Sequence, residues 1–289
     1  MLFTMKDLLK PAYDNNFAIG AFNIGSAELL RLVISVAEEE QSPVILAVHP
    51  DELDFQGDDF IKYCRVVAQN THIPVVIHLD HGSSIKQIVR AIKCGYTSVM
   101  IDGSHKSFEE NIKITKQVVD IASNVGVSVE AELGTIGAIE GNFESGSVSE
   151  VIYTQPEQAK TFIEETKIDS LAIAIGTSHG IYPKNFKPKL EIELLKRIKE
   201  NTSIPLVLHG GSSNPDEEIA ESIKYGISKI NISSDVKLAY ANSLRDYLNK
   251  YKEVLEPMQM FAEPVLVAKE VVRHKIRLFK SNNKINLYY

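Results

Sequence analysis

Cysteine is nearly missing from this chain: its 289 residues include two, Cys64 and Cys94. Both fall in segments with helical periodicity and neither has the paired spacing of a metal or redox motif. They read as reduced packing residues, not as a disulfide scaffold. Long hydrophobic runs are also lacking. No stretch of about 18 apolar residues occurs, which excludes a membrane-spanning helix of the usual kind. Met1 to Lys10 places Lys6 and Asp7 among short apolar runs, without the apolar core and small-residue cleavage site of a secretory signal. The expectation is a cytoplasmic protein. Nor is there an excess of positive charge, since 31 basic residues against 38 acidic ones give a net charge of -7 with the two signs mixed. No basic stripe is left for a phosphate backbone to lie on, so nucleic acid is not an expected partner.

The chain does carry a rhythm. Short apolar runs bounded by turn residues recur eight times: Ala18 to Phe22, Val44 to Val48, Val75 to Leu79, Ser98 to Ile101, Val127 to Ala131, Leu171 to Ile175, Leu206 to Leu208 and Lys229 to Ile232. Each reads as a buried parallel strand. Amphipathic stretches lie between them, at Ala27 to Glu40, Ile85 to Cys94, Phe108 to Val125, Glu157 to Thr166, Ile192 to Glu200 and Asp216 to Tyr225. Their apolar residues recur three and four apart, as a helix packed on a sheet requires. Caps are expected at Ser26, at Ser84 and at Asn214 with Pro215 just inside, and glycine exits at Gly95, Gly126 and Gly226. Alternating strands and helices imply a parallel sheet, and eight units imply a closed (β/α)8 TIM barrel. The length suits one barrel domain over 1–289 with a C-terminal helical extension from about Glu253. A chain of this size buries roughly three quarters of its unfolded surface, so a metal would serve chemistry before stability. Two segments break the rhythm. Leu133 to Thr154, punctuated by Gly134, Gly137, Gly141 and Gly146, reads as a cover over an active site. The tail, Lys280 to Tyr289, is marked for disorder or partner contact.

Catalytic groups in such a barrel sit where strands end and βα loops begin. Asp80 and His81 follow the third strand, Asp102 the fourth, Glu130 and Glu132 the fifth, His179 the sixth, His209 the seventh, and Asn231 lies on the eighth. One loop histidine means little by itself. Three at the starts of different loops can supply the three protein ligands of a catalytic zinc. His49, His72, His78, His105 and His274 read as capping, packing or surface residues. Gly210, Gly211, Ser212 and then Asn231, Ile232, Ser233, Ser234 fall where barrels build phosphate sites from backbone amides and hydroxyls.

The runs HLDHG at His78 to Gly82, SVMIDGS at Ser98 to Ser104, VSVEAELG at Val127 to Gly134, IGTSHG at Ile175 to Gly180, PLVLHGGS at Pro205 to Ser212 and KINISSD at Lys229 to Asp235 resemble the class II, metal-dependent ketose-bisphosphate aldolases. That family includes fructose-bisphosphate and tagatose-bisphosphate aldolases, and the likeness covers nearly the whole chain. The resemblance implies zinc on His81, His179 and His209, and Na+ or K+ near the substrate phosphate. It implies dihydroxyacetone phosphate held by Gly180, Gly210 to Ser212 and Asn231 to Ser234, and a homodimer or homotetramer. It makes Asp80 the acid/base at the C4 hydroxyl of the ketose and Glu140 the carrier of the proton at C1 of the three-carbon ketone. Lewis-acid stabilisation of the charge left by cleavage needs no Schiff-base lysine, and Lys229 opens its strand at the wrong end of the barrel. Glu132 stays open between a second metal position with Asp102 and an orienting role.

Three departures from the family pattern stand out. Gly137-Ala138-Ile139-Glu140-Gly141 keeps the loop glutamate and lacks the acid that usually follows it. Ser234 replaces a threonine and retains the hydroxyl. Glu256-Pro257-Met258 stands where many relatives carry aspartate-proline-arginine, which points to a different sugar terminus if that arginine holds the far phosphate. The expected function is reversible cleavage of a ketose 1,6-bisphosphate, fructose 1,6-bisphosphate first, with tagatose bisphosphate or another ketose phosphate as alternatives. A metal-dependent hydrolase usually pairs histidines on its first strand, and none occurs here before His49. A non-catalytic sugar-phosphate-binding barrel is the rival outside enzymes.

Overall fold

The computed structural model describes residues 1–138, 152–180, 182 and 188–289. The strands are β1 (Ile19–Asn23), β2 (Val44–Val48), β3 (Val75–Gly82), β4 (Ser98–Ile101), β5 (Ser128–Leu133), β6 (Gly137–Ala138), β7 (Ser170–Ile173), β8 (Ser178–His179), β9 (Leu206–Leu208) and β10 (Ile227–Ile232). Eight of them close a parallel barrel in the order β1-β10-β9-β7-β5-β4-β3-β2, while β6 and β8 form a separate pair. The helices are α1 (Met5–Asn15), α2 (Ala27–Glu39), α3 (Pro50–Gln56), α4 (Asp59–Asn70), α5 (Ile85–Cys94), α6 (Phe108–Ser123), α7 (Pro156–Thr166), α8 (Ile192–Asn201), α9 (Asp216–Lys224), α10 (Ser234–Lys250) and α11 (Pro257–Leu278).

Local chemistry sets these boundaries. The Ser26 hydroxyl accepts from the Leu29 amide at the start of α2, and Ser84 does the same for Gln87 at the start of α5. Gly95 ends α5 at φ +96°, a left-handed conformation costly for a residue with a Cβ. The cap expected at Asn214 does not form. Helix α9 starts from Pro215, and the Asn214 amide turns inward to donate to the carbonyls of Gly210 and Ser212 at 2.6 and 3.0 Å. Lys229 does not open its strand either: β10 begins at Ile227 and shifts register at that point, leaving Lys229 wholly buried in the barrel.

Alternation along each strand divides the barrel interior by depth. Near its N-terminal end Ile19, Ala21, Ile45, Ala47 and Val76 pack with Met5, Leu8, Leu9 and Ala12 of α1, which closes that end with apolar surface. Further along the strands the buried side chains become polar: His78, Glu130 and Lys229, then Asp80, Glu132 and Asn231. The C-terminal tail is not disordered. Tyr288 stacks edge-on to Phe3 with ring centroids 5.8 Å apart and donates its hydroxyl to the Leu8 carbonyl at 2.9 Å, while the Asn283 amide donates to the Glu40 carbonyl at 2.8 Å. Among the described residues no helix is long and apolar enough to cross a membrane.

Candidate active site

His81 should be the misfit of β3. His78 and Asp80 share the inward face of that strand, so strict alternation would send His81 outward. Two features turn it in. Pairing with β4 shifts register between Leu79 and Gly82, and His81 has φ +52°. A left-handed conformation is unfavourable for a residue with a Cβ, and it persists where surrounding structure over-determines it. Gly82 makes the bend possible, because a Cβ there would lie 2.6 Å from the Met100 carbonyl oxygen. Asp80 and His81 therefore both reach the barrel mouth from adjacent positions.

His81, His179 and His209 converge there. Their ring centroids are 5.1 Å apart for His81 and His179, 4.6 Å for His81 and His209, and 6.2 Å for His179 and His209. One ring nitrogen of each lies within 4.8 Å of the other two. His81 Nδ1 is 3.0 Å from Asp102 Oδ2, and the other oxygen of Asp102 accepts from the Ser104 amide and hydroxyl at 3.0 and 2.7 Å. That leaves His81 Nε2 buried with no hydrogen-bond partner among the described residues. His209 mirrors this: Nε2 meets Glu130 Oε1 at 3.0 Å, and Nδ1 is left buried. Glu132 Oε2 is 3.0 Å from His209 Nδ1, close enough to attract but not aligned for a hydrogen bond.

The charges ask for a cation. Four buried carboxylates, Asp80, Asp102, Glu130 and Glu132, face one buried ammonium, Lys229, among the described residues of the barrel mouth and the layer beneath it. Burial alone would make His81 less basic, but Asp80, Asp102 and Glu132 outweigh it and raise its pKa to about 10. Burial would likewise raise Asp80, yet His81, His209, Lys229 and His78 hold its carboxyl well below the usual range. The unpaired imidazole nitrogens and the surplus of negative charge both fit a divalent metal bound to three histidines. The same observations leave Asp102 and Glu132 able, together with His81, to approach a second ion.

Beside the cluster, Asp80 is gripped from two sides. Asn23 Nδ2 donates to Oδ2 at 3.0 Å and Asn231 Nδ2 to Oδ1 at 2.9 Å. Sequence alone does not single out Asn23, because it lies one position past the apolar run that ends at Phe22. A polar residue one position past an apolar run, at the mouth end, was the available signal. A pocket joins these groups to the backbone that sequence marked for phosphate, with Gly180, Gly210, Ser212, Ser233 and Ser234 among its lining residues. Gly211 and Ile232 are buried behind that lining. Helix α10 starts at Ser234, so its first turn lies beside the pocket: the Asp235 amide donates to the Ser212 hydroxyl at 3.3 Å, and the buried Ser233 hydroxyl has no partner among the described residues. His49 caps α3, as expected, its Nδ1 accepting from the Asp51 amide at 3.2 Å. Glu140, and with it most of the covering segment, lies outside the described residues.

Residues 3–284 match the family model described as fructose-bisphosphate aldolase class-II. The chain belongs to the class II fructose-bisphosphate aldolase family. It is accordingly an aldolase, a carbon–carbon lyase on a TIM barrel. A fructose-bisphosphate aldolase from Staphylococcus epidermidis is 40% identical over 288 residues, covering 98% of this chain and 99% of the relative. One from Helicobacter pylori is 37% identical over 308 aligned positions, covering 99% and 100%. Among solved structures, the YdjI aldolase from Escherichia coli K12 superposes with a TM-score of 0.85 at 35% identity, covering 99% of this chain and all of that one. Family membership and the three-histidine geometry thus meet at one end of one barrel.

Proposed function

We propose that this aldolase is zinc-dependent and reversibly cleaves a ketose 1,6-bisphosphate, fructose 1,6-bisphosphate first, into dihydroxyacetone phosphate and glyceraldehyde 3-phosphate. One observation carries the reading: the unpaired His81 Nε2 and His209 Nδ1 converge with His179 beside a carboxylate, Asp80, that two amides hold in place. Zinc bound by His81, His179 and His209 would supply a Lewis acid for the C2 carbonyl oxygen as the C3–C4 bond breaks. The chain's own groups do the rest. Asp80 takes the proton of the C4 hydroxyl, with Asn23 and Asn231 fixing the direction of its oxygens. Gly180, Gly210 to Ser212 and Asn231 to Ser234 hold the C1 phosphate through amides and hydroxyls at the start of α10, where the helix dipole favours an anion. Na+ or K+ beside that phosphate belongs to the same reading. Asp102 orients His81, and Glu140 delivers the proton to the carbon that was C3 of the ketose, C1 of the three-carbon ketone.

The far end of the sugar is the open variable. A cavity of about 360 Å³ continues from Asn23, Ser233 and Ser234 toward Lys237 and Arg245. Its cationic character is offset, because Glu52 pairs with Lys237 at 2.8 Å and Asp51 also lines it. Met258, at the start of α11, is 81% exposed and offers an anion nothing. These observations favour a second reading, a ketose 1-phosphate with another chain length or terminus. The deciding experiment measures dihydroxyacetone phosphate released from fructose 1,6-bisphosphate, tagatose 1,6-bisphosphate and longer ketose 1-phosphates, with and without chelator. Chelator-sensitive release is expected, and the fastest sugar names the substrate. Release that survives complete zinc removal would sink the zinc reading.

A homodimer or homotetramer belongs to the same proposal. Helix α10 buries Val236 alone, while Leu255, Met258 and Leu266 of the α10–α11 arm are 84%, 81% and 62% exposed. Apolar surface of this kind suits a second copy. Light scattering should return at least twice the 32.2 kDa of the chain, and a strictly monomeric mass at micromolar concentration would contradict it.

A further inference from the structure

Lys229 and Glu130 lie one layer beneath the three histidines, and the reaction described above uses neither. Both are wholly buried. Lys229 Nζ donates to Glu130 Oε1 and Oε2 at 2.7 and 2.9 Å and lies 3.3 Å from His78 Nε2, whose Nδ1 meets Ser98 Oγ at 2.9 Å. The Ser170 hydroxyl donates to Glu130 Oε2 at 3.3 Å. The Glu130 carboxylate is thus fixed in plane and direction, and its Oε1 is the oxygen that faces His209 Nε2 at 3.0 Å. An ionised carboxylate only accepts hydrogen bonds, so Nε2 must carry the proton, and a neutral ring then presents a bare lone pair at Nδ1.

We propose that Lys229 and Glu130 form a positioning pair that fixes the ring of His209, holding Nε2 protonated and Nδ1 turned toward His81 and His179. The inference rests on the zinc reading of that cluster. Asp102 performs the corresponding task for His81, but it is steadied by the amide and hydroxyl of Ser104 at the loop. Glu130 sits deeper, with a single hydroxyl and an ammonium for donors. Lys229, donating to both Glu130 oxygens, is the group that aims that carboxylate. A role in filling the barrel alone would not need charge, since well-packed apolar residues of similar volume usually stabilise as much as a buried ion pair or more.

The test compares zinc affinity, by competition with a chromophoric chelator, in the parent, in Lys229→Met and in the double variant Glu130→Gln with Lys229→Met. The double variant guards against misfolding, because Lys229→Met alone leaves a buried carboxylate unpaired. Both variants should bind zinc about 10–100-fold more weakly than the parent, the usual effect of removing a group that orients a metal ligand. Nitrogen-15 histidine spectra of the zinc-saturated proteins should show His209 bound through Nδ1 alone in the parent and through a mixture of its two nitrogens in the variants. Zinc affinity within about threefold of the parent's, with Nδ1 ligation kept, in either folded variant would overturn the pair's role. A parent that binds no zinc would speak against the zinc reading instead, so the two failures are separable.

Discussion

Replacing Asp80 by asparagine should lower kcat for ketose phosphate cleavage by roughly 10²–10⁴-fold, the usual contribution of a positioned acid or base. Zinc stoichiometry and the thermal transition should stay close to the parent's. Asparagine keeps the shape of the side chain and removes its charge and its ability to accept a proton. The local cost is small for a specific reason. Asn23 and Asn231 both point amide nitrogens at Asp80, so one of them would face the new amide of residue 80. Asn231 Oδ1 is buried without a partner among the described residues, so turning that side chain over offers the new donor an acceptor. The variant should therefore fold, bind sugar phosphate with a KM near the parent's and turn it over slowly. A kcat within about threefold of the parent, in zinc-loaded protein, would remove Asp80 from proton transfer. A large rise in KM with kcat preserved would mean that Asp80 binds substrate without exchanging its proton.

The barrel was legible because burial on both faces writes parallel strands as nearly unbroken apolar runs, and Val44–Val48 and Ser98–Ile101 appear in the structure with the ends that sequence assigns. Partners distant in sequence were harder to read. Lys229 looked like a strand opener because nothing near it in the chain shows that Glu130, 99 residues earlier, neutralises it inside the barrel. Asn214 next to Pro215 carries the local signature of a helix cap, but the amide is used to close the Gly210–Ser212 turn instead. His81 was found from its place after a strand. The bulge and positive φ that actually bring it inward leave little trace beyond Gly82. The tail is polar enough to suggest disorder, yet Tyr288 packs edge-on against Phe3 at the closed end of the barrel. Apart from the Asn214 turn, each miss is a long-range contact overriding a local preference, and the functional end of the molecule concentrates them.

Gly210 is where such long-range contacts bind most tightly, and Gly210→Ala should lower kcat/KM by about 10²-fold or more, the loss expected when catalytic groups move by around an ångström. The residue follows His209 and has φ +62°. A Cβ at this position would lie 2.7 Å from the Ser178 carbonyl oxygen, 2.9 Å from its carbon and 3.2 Å from Thr177 Cβ. Backbone cannot move aside as a flexible side chain does. The clash would push apart the two segments that carry His209 and His179, and with them the wall of the phosphate pocket. A left-handed alanine adds strain of about 1–3 kcal/mol. Metal and phosphate affinity should therefore fall together, which sets this variant apart from Asp80→Asn. Zinc competition and phosphate titration on the same preparation measure both. If phosphate binding weakened while zinc affinity held, the strain would be confined to the glycine turn, and the coupling of His179 and His209 through this contact would be wrong. If both held in a folded protein, the close approach to Ser178 would carry no functional weight.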